Sequence, residues 1–222
     1  MSRHSVEKIM CPKCGQESDF MVWSSINTVL DPEMYEKVRS GDAFAFRCPN
    51  CGHVAEVDYA CLYHQMNDEM MIYYVPNPDE IGATYDMFCG NHKVAEMLEG
   101  IQENYLYRIV QSKNEFREKL YIFDAGLDDR AIEIIKVFYA LKIQEGNPEI
   151  EFDEIRFESG KNDEIGLIVI RGGKPVASCK IDQEFYDIIM KEYIAEMPNI
   201  RKDEIIINGE WALNIFSDKD DE

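Results

Sequence analysis

The sequence predicts an α+β chain in two parts. Residues 1–100 read as a β-rich part with an inserted helix, and residues 101–222 as a module that mixes helices with an antiparallel sheet. Three observations carry this expectation. The phrase Cys-Pro-X-Cys-Gly occurs twice, at residues 11–15 and 48–52, and strand-like alternations flank each copy. An apolar stripe at helical spacing (Ile132, Ile135, Val137, Phe138 and Leu141) follows Asp128. After Pro148 the apolar period drops from about 3.6 to 2, the change from helix to half-buried strand.

Residues 5–10 alternate into the first phrase, and residues 19–23 leave it as a strand. Asp31-Pro32-Glu33 reads as a helix start, with Asp as N-cap, Pro at the first helical position and an acid in the first turn. That helix runs to Ser40 and stops at Gly41. Residues 43–47 and 54–59 are the strands around the second phrase. Residues 69–75 and 105–110 are further strands. Residues 77–92 are irregular or a short helix, and residues 94–100 are ambiguous.

Ser112-Lys113-Asn114-Glu115 is a capping box that opens a helix to about Phe123, ended by Gly126. Asp128 caps the strongest helix, which Gly146 and Pro148 stop. Residues 150–157, 165–171 and 175–181 form three strands, the last two joined at Gly172-Gly173. Asp182 caps a helix to about Met197. Asn208-Gly209 reads as a hairpin turn between strands at 205–207 and 211–216. The acidic tail 218–222 is expected to be disordered.

The doubled phrase supplies four thiols, Cys11, Cys14, Cys48 and Cys51, the ligand count of a closed tetrahedral zinc site. A Cys-X-X-Cys turn lets two sulfurs converge on one ion, Pro fixes φ, and Gly frees the backbone after the second sulfur. Strand–knuckle–strand, repeated, is the layout of a zinc ribbon. The 33 residues between Cys14 and Cys48 exceed the roughly 15–20 of a compact one, and the helix after Pro32 is the insertion. Lys13, Arg47 and Lys8 are expected to offset the thiolate charge. Iron competes with zinc for four sulfurs. Four thiolates leave no open position for a catalytic water, so the zinc is read as structural. Thioredoxin-like redox work needs a helix after the cysteine pair, and neither phrase precedes a convincing one.

Other candidates carry less. Cys61 and His64, with Cys89 and His92, repeat a Cys-X-X-His spacing that either marks a second metal site or arises by chance. His53 either replaces a cysteine ligand or solvates the exit of the second knuckle, and Cys179 reads as a buried, inert thiol. Asp124, Asp128 and Asp129 cluster at a helix junction, where capping explains Asp128 and the helix dipole suits Asp129.

The net charge of -20 argues against nucleic acid and against an anionic membrane as partners. No run approaches the roughly 18 apolar residues of a membrane span. The start lacks an apolar signal region, which predicts a cytoplasmic protein with reduced cysteines.

The doubled Cys-Pro-X-Cys-Gly at this wide spacing resembles the CpXC domain of bacteria and archaea. Phe46-Arg47-Cys48-Pro49-Asn50-Cys51-Gly52 is similar to its second knuckle. Leu62-Tyr63-His64 is similar to a downstream segment of these proteins, with Gln65 where an Asp is expected. Ile122-Phe123-Asp124-Ala125-Gly126-Leu127-Asp128-Asp129-Arg130 is similar to a phrase of the longer members. The resemblance implies metal binding by Cys11, Cys14, Cys48 and Cys51, and no activity. It also singles out His64 as a residue expected to line a functional cleft.

The leading expectation is a non-enzymatic, zinc-stabilised cytoplasmic protein with a protein-interaction or regulatory role, its acidic surface suited to basic partners. One alternative is an enzyme with its site in the C-terminal module or at the domain junction. Another is a thiol-based redox or zinc sensor.

Overall fold

The structure, a computed structural model, describes residues 1–87, 105–159, 164–195 and 204–217. Cys89, His92, the ambiguous run 94–100, the boundary expected near residue 100, the helix end at Met197 and the tail 218–222 lie outside the described residues. The chain is mixed α+β and divides into two compact units, Met1–Arg117 and Glu118–Glu222.

In the first unit, β1 (Arg3–Met10) and β2 (Glu17–Asn27) form an antiparallel hairpin whose turn is the first cysteine phrase. Helix α1 (Glu33–Ser40) ends on Gly41, whose φ of 87° is left-handed. Its start differs from the expectation: Pro32, not Asp31, is the N-cap and Glu33 the first helical residue, the Asp31 carbonyl accepts from the Met34 N–H at 3.0 Å, and no side chain caps the helix. Strands β3 (Ala45–Arg47) and β4 (Val54–Glu56) form a second, short antiparallel hairpin around the second phrase. β4 ends well before the expected Tyr59. The Tyr59 hydroxyl donates to the Ala43 carbonyl at 2.7 Å, and its ring packs 4.9 Å from that of Phe44.

Strands β5 (Cys61–Gln65) and β6 (Met70–Tyr74) form a third hairpin. A short helix α2 (Ile81–Tyr85) follows, then β7 (Leu106–Val110). The main sheet has the order β1-β2-β5-β6-β7. Burial alternates along its central strands: Cys61, Tyr63 and Gln65 are buried, as are Met70, Ile72 and Tyr74, with the residues between them half-exposed. This is the period-2 pattern of a sheet covered on one face. Phe116 belongs to that core, its ring 5.7 Å from Tyr63 and 6.2 Å from both Phe44 and Tyr74.

The second unit takes over inside α3 (Lys113–Asp124). The capping box forms as expected: Ser112 Oγ accepts from the Glu115 N–H and Glu115 Oε2 from the Ser112 N–H, both at 3.1 Å. The helix ends in a Schellman motif, with the Gly126 N–H on Phe123 O and the Leu127 N–H on Ile122 O. Asp128 Oδ1 accepts from the Arg130 N–H at 2.9 Å and opens α4 (Asp129–Gly146). Strands β8 (Glu154–Ser159), β9 (Ile165–Arg171) and β10 (Lys174–Lys180) make an antiparallel sheet in the order β10-β9-β8. Helix α5 (Gln183–Ile189), capped by Asp182 as expected, runs on into a wider π turn at Met190–Ile194.

The end of the chain corrects the expectation. Residues 211–216 are not a strand, and residues 205–207 form none: α6 (Gly209–Ser217) is a helix. Asn208 Oδ1 accepts from the Trp211 N–H at 3.0 Å, so Asn208 is a helix N-cap and not a hairpin residue. Ala212 is fully buried, and Trp211 and Phe216 pack on the core formed by Ile132, Ile135, Phe157, Leu167, Val169 and Ile189. A sheet partner for two more strands is replaced by a helical apolar face.

Candidate metal centre

The two cysteine phrases fold into the same loop. In the first, the Cys11 N–H donates to Gln16 O and the Gly15 N–H to Cys11 O, both at 2.9 Å. In the second, the Cys48 N–H donates to His53 O at 2.9 Å and the Gly52 N–H to Cys48 O at 3.0 Å. Gly15 and Gly52 hold φ of 70° and 68°, a conformation other side chains disfavour. Each loop closes one hairpin, so the hairpins carry the sulfurs to a common point.

The four Sγ atoms all lie within 4.8 Å of one another. Cys11 meets Cys51 at 3.7 Å and Cys14 meets Cys48 at 3.7 Å, each contact crossing between loops. Cys11 and Cys48 are buried among Ile9, Phe20, Phe46 and Val57, while Cys14 is exposed. Four sulfurs bonded to one ion at ~2.3 Å stand roughly 3.8 Å apart along a tetrahedral edge. The separations and the all-thiol donor set therefore fit one soft or borderline metal ion held by all four. Neither loop leads into a helix; each returns to a strand.

The backbone N–H of Gln16 and the side-chain amide of Asn50 pull the Cys14 thiol down to about 6. Asn50 Nδ2 reaches Cys14 Sγ at 3.6 Å. At Cys51 the His53 backbone N–H pulls down, but desolvation and the neighbouring sulfurs outweigh it and push the thiol up to about 11. At Cys14 the downward pull comes from amide dipoles. Lys8 is ion-paired with Asp19 across the β1–β2 hairpin, and Lys13 and Arg47 are exposed. Asn50 touches the sulfur cluster and was passed over in the sequence reading; its only signal is its place between Pro49 and Cys51.

The Cys61 and His64 pair does not converge. Residues i and i+3 of a strand point to opposite faces, and Cys61 shares the buried face with Tyr63. Burial pushes the Cys61 thiol up to about 12, so it is inert. Cys179 is also raised by burial, its thiol near Leu167 O. On the half-exposed face, His64 Nδ1 lies 3.4 Å from Asn27 Nδ2 and its Nε2 3.1 Å from the Tyr105 hydroxyl. Burial, with a smaller push from the N-terminal ammonium, holds His64 below the usual histidine range. On the other face Gln65, at the position where an Asp was expected, accepts from Tyr63 Oη at 2.8 Å and from Arg39 Nη2 at 3.2 Å.

Asp129 does more than suit the helix dipole. It is 1% exposed and pairs with Lys119 Nζ at 3.0 Å. Lys119 also holds Glu133 at 2.9 Å, and Lys136 joins Glu133 and Glu118, both at 3.0 Å. Glu118 Oε1 accepts from the Phe157 N–H at 2.5 Å. Burial pushes Glu118 up; at Glu133 burial is outweighed by Lys119 and Lys136, and its carboxyl is held down. This network was missed, although charges at 129, 133 and 136 among apolar 131, 132, 134, 135 and 137 mark a helix whose first half is buried nearly all round.

The fold and site define a mixed α+β protein with a four-cysteine, metal-type centre, and no described helix is long and apolar enough to cross a membrane. The model of the CpXC protein family matches residues 9–136, more than half of the chain, and the chain belongs to that family. The match takes in both knuckles, Leu62-Tyr63-His64 and the phrase 122–130, and ends within α4. No curated protein and no solved structure matches the chain.

Proposed function

We propose that this protein is a zinc-stabilised cytoplasmic protein that works by binding another protein. In this reading Cys11, Cys14, Cys48 and Cys51 bind one Zn²⁺ in a closed structural site, and the two hairpins form a zinc ribbon with α1 inserted between them. The observation that carries the reading is the convergence of four sulfurs from two separate hairpins. A closed set leaves no position for a hydrolytic water, so the metal staples the fold and supplies no chemistry. The net charge of -20 suits a basic protein surface and repels phosphate backbones.

The test is elemental analysis of protein purified from medium containing zinc and iron, beside a pull-down from its own host. One zinc per chain and a stoichiometric partner support the reading. Iron, or a folded protein without metal, contradicts the zinc site; a chain that brings down no partner contradicts the binding role.

A second reading is a thiol-based zinc or redox sensor, favoured by the exposure of Cys14 beside buried Cys11 and Cys48. Its mark is zinc release by a mild oxidant, reversed by a thiol reductant, from a chain that stays folded.

A further inference from the structure

Between α4 and α5 of the second unit lies a groove of about 700 Å³. Phe138 and Phe185 form its floor, their rings 5.8 Å apart edge to face. Leu141 and Ile188 stand above them, 49% and 48% exposed. On α4, positions 138, 141 and 145 follow one helical stripe, and 185 and 188 do the same on α5. The rim is acidic: among the described lining residues Glu145, Asp182 and Glu184 stand against Lys142.

We propose that this groove docks a basic amphipathic helix of a partner protein. Two ridged helices with an apolar channel between them match a third helix that offers apolar anchors at i, i+3 or i+4, and i+7. Lysines or arginines beside those anchors meet the carboxylates of the rim. The same charge argues against other occupants. A second copy brings carboxylates onto carboxylates, in a chain whose net charge is -20, and an anionic bilayer is repelled. Asp182 is fixed in that rim, its Oδ1 accepting from the Glu184 N–H at 2.8 Å as the cap of α5.

The inference rests on the reading of the chain as a protein-binding protein and gives that reading a site. The probe is a synthetic helix of about 18 residues, roughly 27 Å long, with one leucine stripe flanked by lysines. Its control carries glutamates in place of the lysines. Binding to the full metal-loaded chain is read by fluorescence anisotropy, for wild type and for the double variant Leu141→Ser, Ile188→Ser. Both side chains are exposed and the variant keeps every charge; circular dichroism checks its fold. The lysine peptide is expected to bind at least about tenfold tighter than its control and to lose at least about tenfold in the variant, as removal of two apolar anchors requires. Equal binding of both peptides, or binding unchanged in the variant, overturns the site. So does a wild-type dimer that the variant dissociates, or a groove that takes a neutral apolar dye and no peptide. Lysine-peptide binding that survives the substitutions removes the groove alone; a host pull-down with no partner removes the protein-binding reading itself.

Discussion

The Sγ atoms of Cys14 and Cys48 lie 3.7 Å apart across 34 residues of sequence. The contact joins two loops from two different hairpins, so no local turn explains it. A shared ion does. Cys48→Ser removes a sulfur that is buried at the hinge of that contact. Metal affinity is expected to fall by more than the ~10–100-fold that loss of an outer partner costs. A chromophoric chelator in competition measures it. Affinity equal to wild type shows that Cys48 is not a ligand.

Lys119 stands between two buried carboxylates, 3.0 Å from Asp129 and 2.9 Å from Glu133. Removing the cation takes a buried partner from each, while Lys136 stays 3.0 Å from Glu133. Lys119→Met is expected to destabilise the second unit by about 3–5 kcal/mol, the cost of breaking a buried pair. Lys8, exposed in its pair with Asp19, is the control, and Lys8→Ala leaves the urea midpoint unchanged. Equal midpoints for both variants mean that the network contributes nothing net.

His64 makes stability depend on pH. Its folded pKa lies below the ordinary 6.5. Above about pH 6.5 the ring is neutral in both states and adds no slope. Below it the unfolded chain takes up a proton that the folded chain resists, so stability falls with pH and levels once the folded ring also titrates. Urea midpoints between pH 7.5 and pH 5 are expected to drop further for wild type than for His64→Gln. Parallel curves show that His64 is not held neutral by the fold.

Most elements were legible because their signals are local. The capping box at Ser112 and Glu115, the cap at Asp128 and the stop at Gly126 each act within a few residues, and each formed as read. Each half of the cysteine cluster was legible for the same reason, since a Cys-X-X-Cys turn nearly sets its own geometry; that the halves meet was read from the doubling of the phrase, because the sulfur contacts cross between hairpins. Asn208-Gly209 failed because one dipeptide serves two structures. Asn caps a helix as well as it turns a hairpin, and the buried face of Ala212, Trp211 and Phe216 decides between them. The charge network failed for a different reason: charges among apolar residues on α4 mark its burial, but the partners on α3 that Asp129, Glu133 and Lys136 meet are not written in any single stretch of sequence.

Extended X-ray absorption at the zinc edge, with metal content measured on the same sample, tests the central claim most directly. The account predicts one zinc per chain and four sulfur neighbours at ~2.3 Å. Nitrogen or oxygen among the neighbours, or a folded chain without zinc, contradicts it.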